Sequence, residues 1–278
     1  MPIGRVRLPS GEMVPALGQG TWKMGESGRS RAAEIAALRL GIELGMTLVD
    51  TAEMYADGGA EEVTGEAIRG QRDGIFVVSK VLPSNASRAG TIAACERSLK
   101  RLGTDSIDLY LLHWPSQHPL AGTVEAFEAL TRDGKIRHWG VSNFDAGDMD
   151  ELLELGGSAV AANQVLYNLT RRGIEYDLVP WAASHHVPLM AYSPVEQGRL
   201  ARNRALQQIA DAHHATPAQI ALAFTLIRPD MISIPKATSL DHVRQNAAAA
   251  DIVLSDADRA ALDAAFPPPR RKSSLEML

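Results

Sequence analysis

This chain has a single cysteine, Cys95, in 278 residues, so no intramolecular disulfide is available and any compactness has to come from the core. Aromatic residues are scarce at 5%. No apolar run approaches the ~20 residues that cross a bilayer as a helix, and the start, Met1-Pro2-Ile3-Gly4-Arg5, lacks the apolar core of a secretory leader. A soluble cytoplasmic chain with no membrane partner is therefore expected. Charge of one sign is also missing. Net charge is -5, without the basic footprint that nucleic acid requires. The dinucleotide fingerprint fails as well. Gly18-Gln19-Gly20 begins like one, but Lys23 stands where the third glycine belongs, which argues against a Rossmann fold. Metal-ligand spacing is absent too: in His185-His186 and His213-His214 adjacent helical positions point in different directions, so neither pair clamps one ion, and no metal is expected.

What is present is an alternation. Arg5-Val6-Arg7-Leu8 and Met13-Val14-Pro15-Ala16-Leu17, separated by Pro9-Ser10-Gly11-Glu12, read as a short hairpin that plugs one end of a barrel. Apolar strands are then expected at 17–19, 47–50, 75–79, 107–112, 136–141, 160–164, 187–192 and 231–234. Helical spacing falls between them at 30–44, 61–68, 91–102, 124–132, 149–155, 176–185, 206–213 and 217–227, and after the last strand at 240–249 and 256–264. Strand starts recur about every 30 residues, the length of one βα unit, and eight such strands are the number that closes a (β/α)8 barrel. The expectation is an α/β chain with one barrel domain over residues 1–278, an N-terminal hairpin, and C-terminal helices followed by a tail. Pro267-Pro268-Pro269 forces that tail to be extended, and its shortness suggests that it leaves a pocket at the barrel mouth open.

Three successive strands run into titratable residues: Leu48-Val49 into Asp50, Phe76-Val77-Val78-Ser79 into Lys80, and Leu109-Tyr110-Leu111-Leu112 into His113, with Tyr55 five residues past Asp50. Strands commonly end on polar residues because they leave the core there. A barrel, however, gathers its C-terminal strand ends at one rim, where catalytic groups collect. A phenol with an ordinary pKa of ~10 becomes a better acid beside a cation. Trp22 and Trp114, just past strand ends, and Met54 beside Tyr55 would form an apolar wall for a substrate.

Along nearly its whole length the chain resembles the aldo-keto reductase superfamily. The resemblance rests on Gly41-Ile42-Glu43-Leu44-Gly45, Asp50-Thr51-Ala52 with Tyr55, Ser79-Lys80, Asp108-Leu109-Tyr110-Leu111-Leu112-His113-Trp114, Gly134-Lys135-Ile136-Arg137, Gly140-Val141-Ser142-Asn143-Phe144, Asn163-Gln164 and Ile234-Pro235-Lys236. The stretches 50–60 and 234–246 look most like bacterial members described as methylglyoxal reductases. The resemblance implies a tetrad of Asp50, Tyr55, Lys80 and His113, and NADPH held across the C-terminal rim. Ser142, Asn143 and Gln164 would hold the nicotinamide amide, with Tyr192 stacked on its ring. Gly20, Thr21, Trp22, Ser193, Pro194, Val195 and Leu200 would line the pyrophosphate path. Lys236, Thr238, His242, Gln245 and Asn246 would take the adenosine end. His242 stands where the family often has arginine, and Gln245 where it often has glutamate, which weakens the expected grip on the 2′-phosphate.

The implied activity is NADPH-dependent reduction of small carbonyls such as methylglyoxal, by a chain expected to be a monomer. Tyr55 would give the proton, Lys80 would lower its pKa, Asp50 would hold Lys80, and His113 would orient the carbonyl. Two other readings stay open: a Schiff-base aldolase using Lys80 or Lys236, and a nicotinamide-binding regulatory subunit of the kind that accompanies potassium channels.

Overall fold

The structure, a computed structural model, describes residues 3–278, without the side chains of Ala201 and Arg202. Met1 and Pro2, on which part of the reading of the N-terminus rests, lie outside the described residues. The chain opens with a two-stranded antiparallel hairpin, β1 (Arg5–Arg7) and β2 (Met13–Pro15), in which Val6 faces Val14. The remaining strands are β3 (Gln19–Gly20), β4 (Leu48–Asp50), β5 (Phe76–Val81), β6 (Ile107–Leu112), β7 (Ile136–Ser142), β8 (Val160–Leu166), β9 (Leu189–Tyr192) and β10 (Met231–Ser233). All eight are parallel and adjacent in chain order. A parallel bridge between Leu17 and Ser233, with Gly18 N donating to Ser233 O at 2.8 Å, joins the last strand back to the first. The expected (β/α)8 barrel with its hairpin is the architecture found.

Helices lie between the strands and after them: α1 (Arg31–Glu43), α2 (Gly59–Ile68), α3 (Arg88–Leu102), α4 (Leu120–Arg132), α5 (Ala146–Glu154), α6 (Leu178–His185), α7 (Arg204–Ala212), α8 (Pro217–Leu226), α9 (Leu240–Ala248) and α10 (Asp256–Ala265). Their starts follow capping chemistry. Ser87 accepts from Gly90 N ahead of α3, and Thr216 and Gln219 cap each other around Pro217 at the start of α8. Pro180 is tolerated in the first turn of α6, where backbone N–H groups have no helical partner. Among the described residues no helix is long and apolar enough to cross a membrane.

Side chains alternate in and out along each strand. Leu48, Phe76, Val78, Leu109, Leu111, Met190 and Ile232 form one buried cluster inside the barrel, and Val6, Leu8 and Val14 of the hairpin belong to it. Glu12, in the hairpin turn, binds Arg137 and His138 at the start of β7 (2.8 and 2.7 Å), which seats the hairpin at the N-terminal end of the barrel. The opposite faces, including Val49, Val77, Tyr110 and Leu112, pack with the helices.

Several boundaries differ from the reading of the sequence, two of them instructively. β5 runs on to Val81, so Lys80 is a paired strand residue opposite Leu111 and not the residue after the strand. Its long stem extends the inward series Phe76, Val78, Lys80. β9 starts at Leu189 and not at Val187, since Pro188 has no N–H to give a ladder.

The tail departs further from expectation. Past its prolines it returns along the barrel, with Lys272 Nζ 3.1 Å from Asp177 Oδ2 and Arg171 Nη1 donating to Glu276 Oε1 at 2.6 Å. Leu275 packs against the core, and Met277 and Leu278 reach the barrel mouth. A count of residues after Pro269 cannot show this, because Arg171 and Asp177, which anchor the tail, lie about 100 positions earlier in the chain.

Candidate active site

The two-residue period of the strands decides where the titratable residues go. Asp50 follows Leu48 inward, Lys80 follows Val78, and His113 follows Leu111. The three sit side by side at the C-terminal end of the interior, above its aliphatic layers. All are buried, at 2%, 0% and 7% exposure. Lys80 Nζ donates to Asp50 Oδ1 and Oδ2, both at 2.8 Å, to Thr51 O at 2.9 Å, and to Tyr55 Oη at 3.2 Å. Asp50 is held from its other side by Gln164 Nε2 at 2.7 Å. The Tyr55 ring meets His113 edge-on, with centroids 5.7 Å apart, and His113 in turn lies against Trp114 at 4.9 Å.

Tyr55 reaches this position from a backbone turn that ordinary residues avoid. Ala56 and Asp57 take left-handed conformations (φ 51° and 52°), followed by Gly58 at φ 92°. Consecutive left-handed residues are uncommon outside glycine and Asn/Asp, so the turn is set by its surroundings. A Cβ on Gly58 would stand 2.4 Å from the Arg101 side chain.

Burial governs the titration of the group. It drives the His113 imidazole down to about 2, with the Lys80 charge acting the same way, so the ring is neutral at physiological pH. For Tyr55 burial raises the pKa; Lys80 opposes this and Asp50 adds to it, and the net direction is upward. The Lys80 charge lowers the Tyr55 pKa, as the sequence led one to expect, but burial outweighs it. Burial disfavours the Lys80 ammonium, but Asp50 and Tyr55 together outweigh it and the net direction is up, so Lys80 stays charged.

A cavity of about 850 Å³ opens over these residues. Asp50, Tyr55 and His113 line it, with Trp22, Met54 and Trp114. So do Gly20, Ser142, Asn143, Gln164, Tyr192, Ser193, Pro194, Val195, Lys236, His242, Gln245 and Asn246. Four expected residues are not in its wall. Thr21 is buried and its hydroxyl donates to Asp50 O at 3.0 Å, Leu200 is buried in the core, and Thr238 lies outside the lining. Lys80 is sealed beneath Asp50 and Tyr55. The lining also holds Lys23, Gln197, Gly198, Thr216, Met277 and Leu278, which the sequence did not point to. Gln197 and Gly198 continue the loop after Ser193-Pro194-Val195 and could have been included by continuity; the two tail residues carried no local pattern.

The amides of the lining are already ordered. Asn143 Nδ2 donates to His113 O at 3.0 Å and to Ser142 Oγ at 3.1 Å, and its Oδ1 accepts from Tyr192 Oη at 3.0 Å. The loop after β9 passes through left-handed backbone at Ser193, Glu196, Gln197 and Gly198 (φ 48°, 45°, 53° and 82°). Glu196, buried, is fixed there by Asn168 Nδ2 at 2.7 Å and Arg171 Nη2 at 3.2 Å.

A second cavity, of about 590 Å³, lies on the outer wall between α2 and α3 and is rich in cations. Those cations are largely spent within the protein: Arg31 on Glu62 and Glu66, Arg72 on Asp108, Arg97 on Glu53, and Arg101 on Glu61. The paired histidines are accounted for locally. His185 stacks on Trp181, His213 bonds Asp258 at 3.0 Å, and His186 caps α6 in a left-handed conformation. Among the described residues no group of three or more His, Cys, Asp or Glu is placed to hold a metal.

Comparison with known proteins agrees with this geometry. The sequence pattern of the Aldo/keto reductase family matches residues 16–266. The chain is 54% identical to methylglyoxal reductase YeaE of Escherichia coli over 271 residues, 95% of each chain. It is 35% identical to glyoxal reductase of Bacillus subtilis over 262 residues, covering 93% of this chain and 91% of the relative. Its structure matches a crystal structure of an aldo-keto reductase from Klebsiella pneumoniae in complex with NADPH, with a TM-score of 0.98, 52% identity and both chains covered in full. The chain belongs to the aldo/keto reductase family and is an oxidoreductase.

Proposed function

We propose that this chain, acting as one barrel domain over residues 1–278, reduces small reactive aldehydes and ketones to alcohols with NADPH, with Tyr55 as the proton donor. The observation that carries the reading is the hydroxyl of Tyr55, 3.2 Å from a fully buried Lys80 ammonium that Asp50 holds through both oxygens, on the wall of a large cavity. The residues present fit the cofactor. Gln164 spends its amide N–H on Asp50, which leaves its amide oxygen as an acceptor for a carboxamide. Further along the same cavity, Lys236 supplies a cation and His242 a ring N–H for a phosphate, and Gln245 and Asn246 can pair with a base edge. When bound, NADPH supplies the hydride.

The protein's part is orientation and proton supply. Charge develops on the carbonyl oxygen as the carbonyl is reduced, and Tyr55 is the group with a proton to give. His113 is neutral, so it cannot act as an imidazolium acid, but a ring N–H can hydrogen-bond the oxygen and fix its direction. Lys80, charged and buried, favours the phenolate left after transfer. Asp50 and Thr51 O keep the ammonium in place.

The substrate reading rests on the walls and on the relatives. Trp22, Met54, Trp114, Met277 and Leu278 make a largely apolar mouth, narrowed by the tail. Relatives named as methylglyoxal and glyoxal reductases act on small reactive carbonyls by name.

The Schiff-base alternative is disfavoured at Lys80. An amine nucleophile must lose its proton, whereas this ammonium is held by Asp50 and its pKa is raised. The deciding experiment follows NADPH oxidation against a panel of aldehydes, 2-oxoaldehydes and ketones, in wild type and Tyr55→Phe. The variant is expected to lose ~10²–10⁴-fold in turnover, the worth of general acid catalysis. NADPH affinity should hold, since the ring and the rest of the wall remain. Near-wild-type turnover by the phenylalanine variant removes Tyr55 as the acid. A borohydride-trapped adduct without any NADPH requirement favours the aldolase, and NADPH binding with no turnover on any carbonyl favours the regulatory subunit.

A further inference from the structure

Glu53 lies two residues before Tyr55 and is buried, at 8% exposure. Its side chain does not face the cavity. Oε1 accepts from Leu82 N at 2.8 Å and from Asn85 Nδ2 at 2.9 Å, and Oε2 is 3.4 Å from Arg97 Nη2. Leu82 is two residues beyond Lys80. The carboxylate therefore ties the segment carrying Tyr55 to the segment that follows Lys80.

The tie extends a pairing that the backbone begins. Beyond the end of β4, Thr51 N donates to Val78 O at 2.9 Å and Glu53 N reaches Lys80 O at 3.4 Å. The second of these bonds is already long. Two residues further on, the Leu82 N–H is met by the Glu53 side chain in place of a backbone carbonyl. Without that acceptor the two segments keep the long Glu53 N to Lys80 O bond and the bonds of the Lys80 ammonium to Asp50, Thr51 O and Tyr55. Past Tyr55 the backbone turns through left-handed Ala56 and Asp57, so the loop needs its position imposed from outside.

We infer that Glu53 is a positioning residue for the reduction: its carboxylate clips the Asp50–Tyr55 loop to the Leu82–Asn85 loop and so sets the distance between the Tyr55 hydroxyl and the Lys80 ammonium. This rests on the reading of Tyr55 as proton donor. The neighbouring outward-facing polar group, Ser79 with Glu61 at 2.5 Å, ties β5 to α2 and leaves the Tyr55 loop untouched.

The test is a set of single-turnover reductions at saturating NADPH, with NADPH affinity measured by quenching of protein fluorescence and folding followed by thermal melting. Glu53→Ala should slow the single-turnover rate about 10- to 100-fold, the range reached by a misplacement of about 1 Å. NADPH affinity should change by less than about twofold, as for sites that share no partner. Glu53→Gln keeps one amide oxygen for Leu82 N and Asn85, and should restore the rate to within about threefold, losing only the charged character of the bonds. Arg97→Ala should leave the rate unchanged, because the carboxylate keeps its other two donors. Should Glu53→Ala fail to fold, Glu53→Asp replaces it, since a side chain one methylene shorter cannot span the same distance. An Ala or Asp variant that melts lower but turns over at the wild-type rate, or a Gln variant as slow as Ala, overturns the inference. A Tyr55→Phe control run alongside separates the cases: if that variant remains active, the proton-donor reading has failed, whatever Glu53 does.

Discussion

The floor of the site and its rim are built in opposite ways. Asp50 and Lys80 stand on adjacent paired strands, His113 directly follows the next one and donates its N–H to Val81 O at 3.0 Å, and all three are buried. The rim, by contrast, is made of segments without strand pairing: the left-handed loop from Ser193 to Gly198, the exposed Lys236 and His242, and the end of the tail. Side chains hold it, chiefly Asn168 and Arg171. Arg171 alone bonds both Glu196 of the loop and Glu276 of the tail. A ladder of backbone bonds fixes the floor whatever its side chains are, while a few replaceable ion pairs fix the rim. On the proposed function, chemistry falls on the strand-built part and recognition on the loop-built part, the division expected where loops on a scaffold carry binding.

The largest effect should come from breaking the floor. Lys80→Met removes the cation beside Tyr55 and leaves the Asp50 carboxylate buried, with Gln164 but without a counter-charge. Turnover should fall at least as far as in Tyr55→Phe. Loss of one partner of a buried pair should also destabilise the fold by ~3–5 kcal/mol, readable in urea unfolding. A Met variant as stable as wild type would mean that the pair contributes little to the fold.

Breaking the rim should give a different pattern. Arg171→Ala frees the loop after β9 and the tail together. KM for carbonyls and Kd for NADPH should each rise by roughly two- to tenfold, the scale of ~0.5–1.5 kcal/mol in lost hydrogen bonds. The single-turnover rate at saturating NADPH should barely move. If it falls as far as in the floor variants, the two regions are not separate.

The smallest effect sharpens the comparison through pH. With His113 held near 2 and Tyr55 pushed above its usual range, neither group changes protonation between about pH 5 and 9. The single-turnover rate at saturating NADPH should therefore be flat. The rim carries His242 in the cavity wall with Lys236. His242→Arg should add a planar, permanently charged partner for phosphate and tighten NADPH by up to about fivefold, the upper end for an exposed pair. Equal NADPH affinity in wild type, His242→Ala and His242→Arg would exclude this position from phosphate recognition.

The composition and the period of the chain were enough for the barrel. Eight apolar segments about 30 residues apart, each followed by helical spacing, admit few other closed arrangements. A strand's two-residue alternation, once its buried face is known, decides which residues face inward. Asp50, Lys80 and His113 could be grouped because each ends an apolar run and a barrel gathers its strand ends at one rim; in the fold each is also in phase with the inward-facing Leu48, Val78 and Leu111. Lys80 was misplaced by a boundary, because the sequence shows where apolar residues stop and not where pairing stops.

What tertiary structure alone decided depends on groups far apart in the chain. The tail's return to the mouth follows from Arg171 and Asp177, about 100 residues away from their partners. The upward shift of Tyr55 depends on how much water burial removes, a quantity that no local pattern encodes; the sequence could name the cation beside it but not weigh it against desolvation. Glu53 reads in sequence as an ordinary loop acid, and becomes a tie only when folding brings Leu82 and Asn85, some 30 residues on, to within hydrogen-bonding distance. Periodicity is a local property of the chain, so the sequence determined the strands and the faces they present. Long-range pairing and burial are properties of the packed chain, so only the fold could determine the rest.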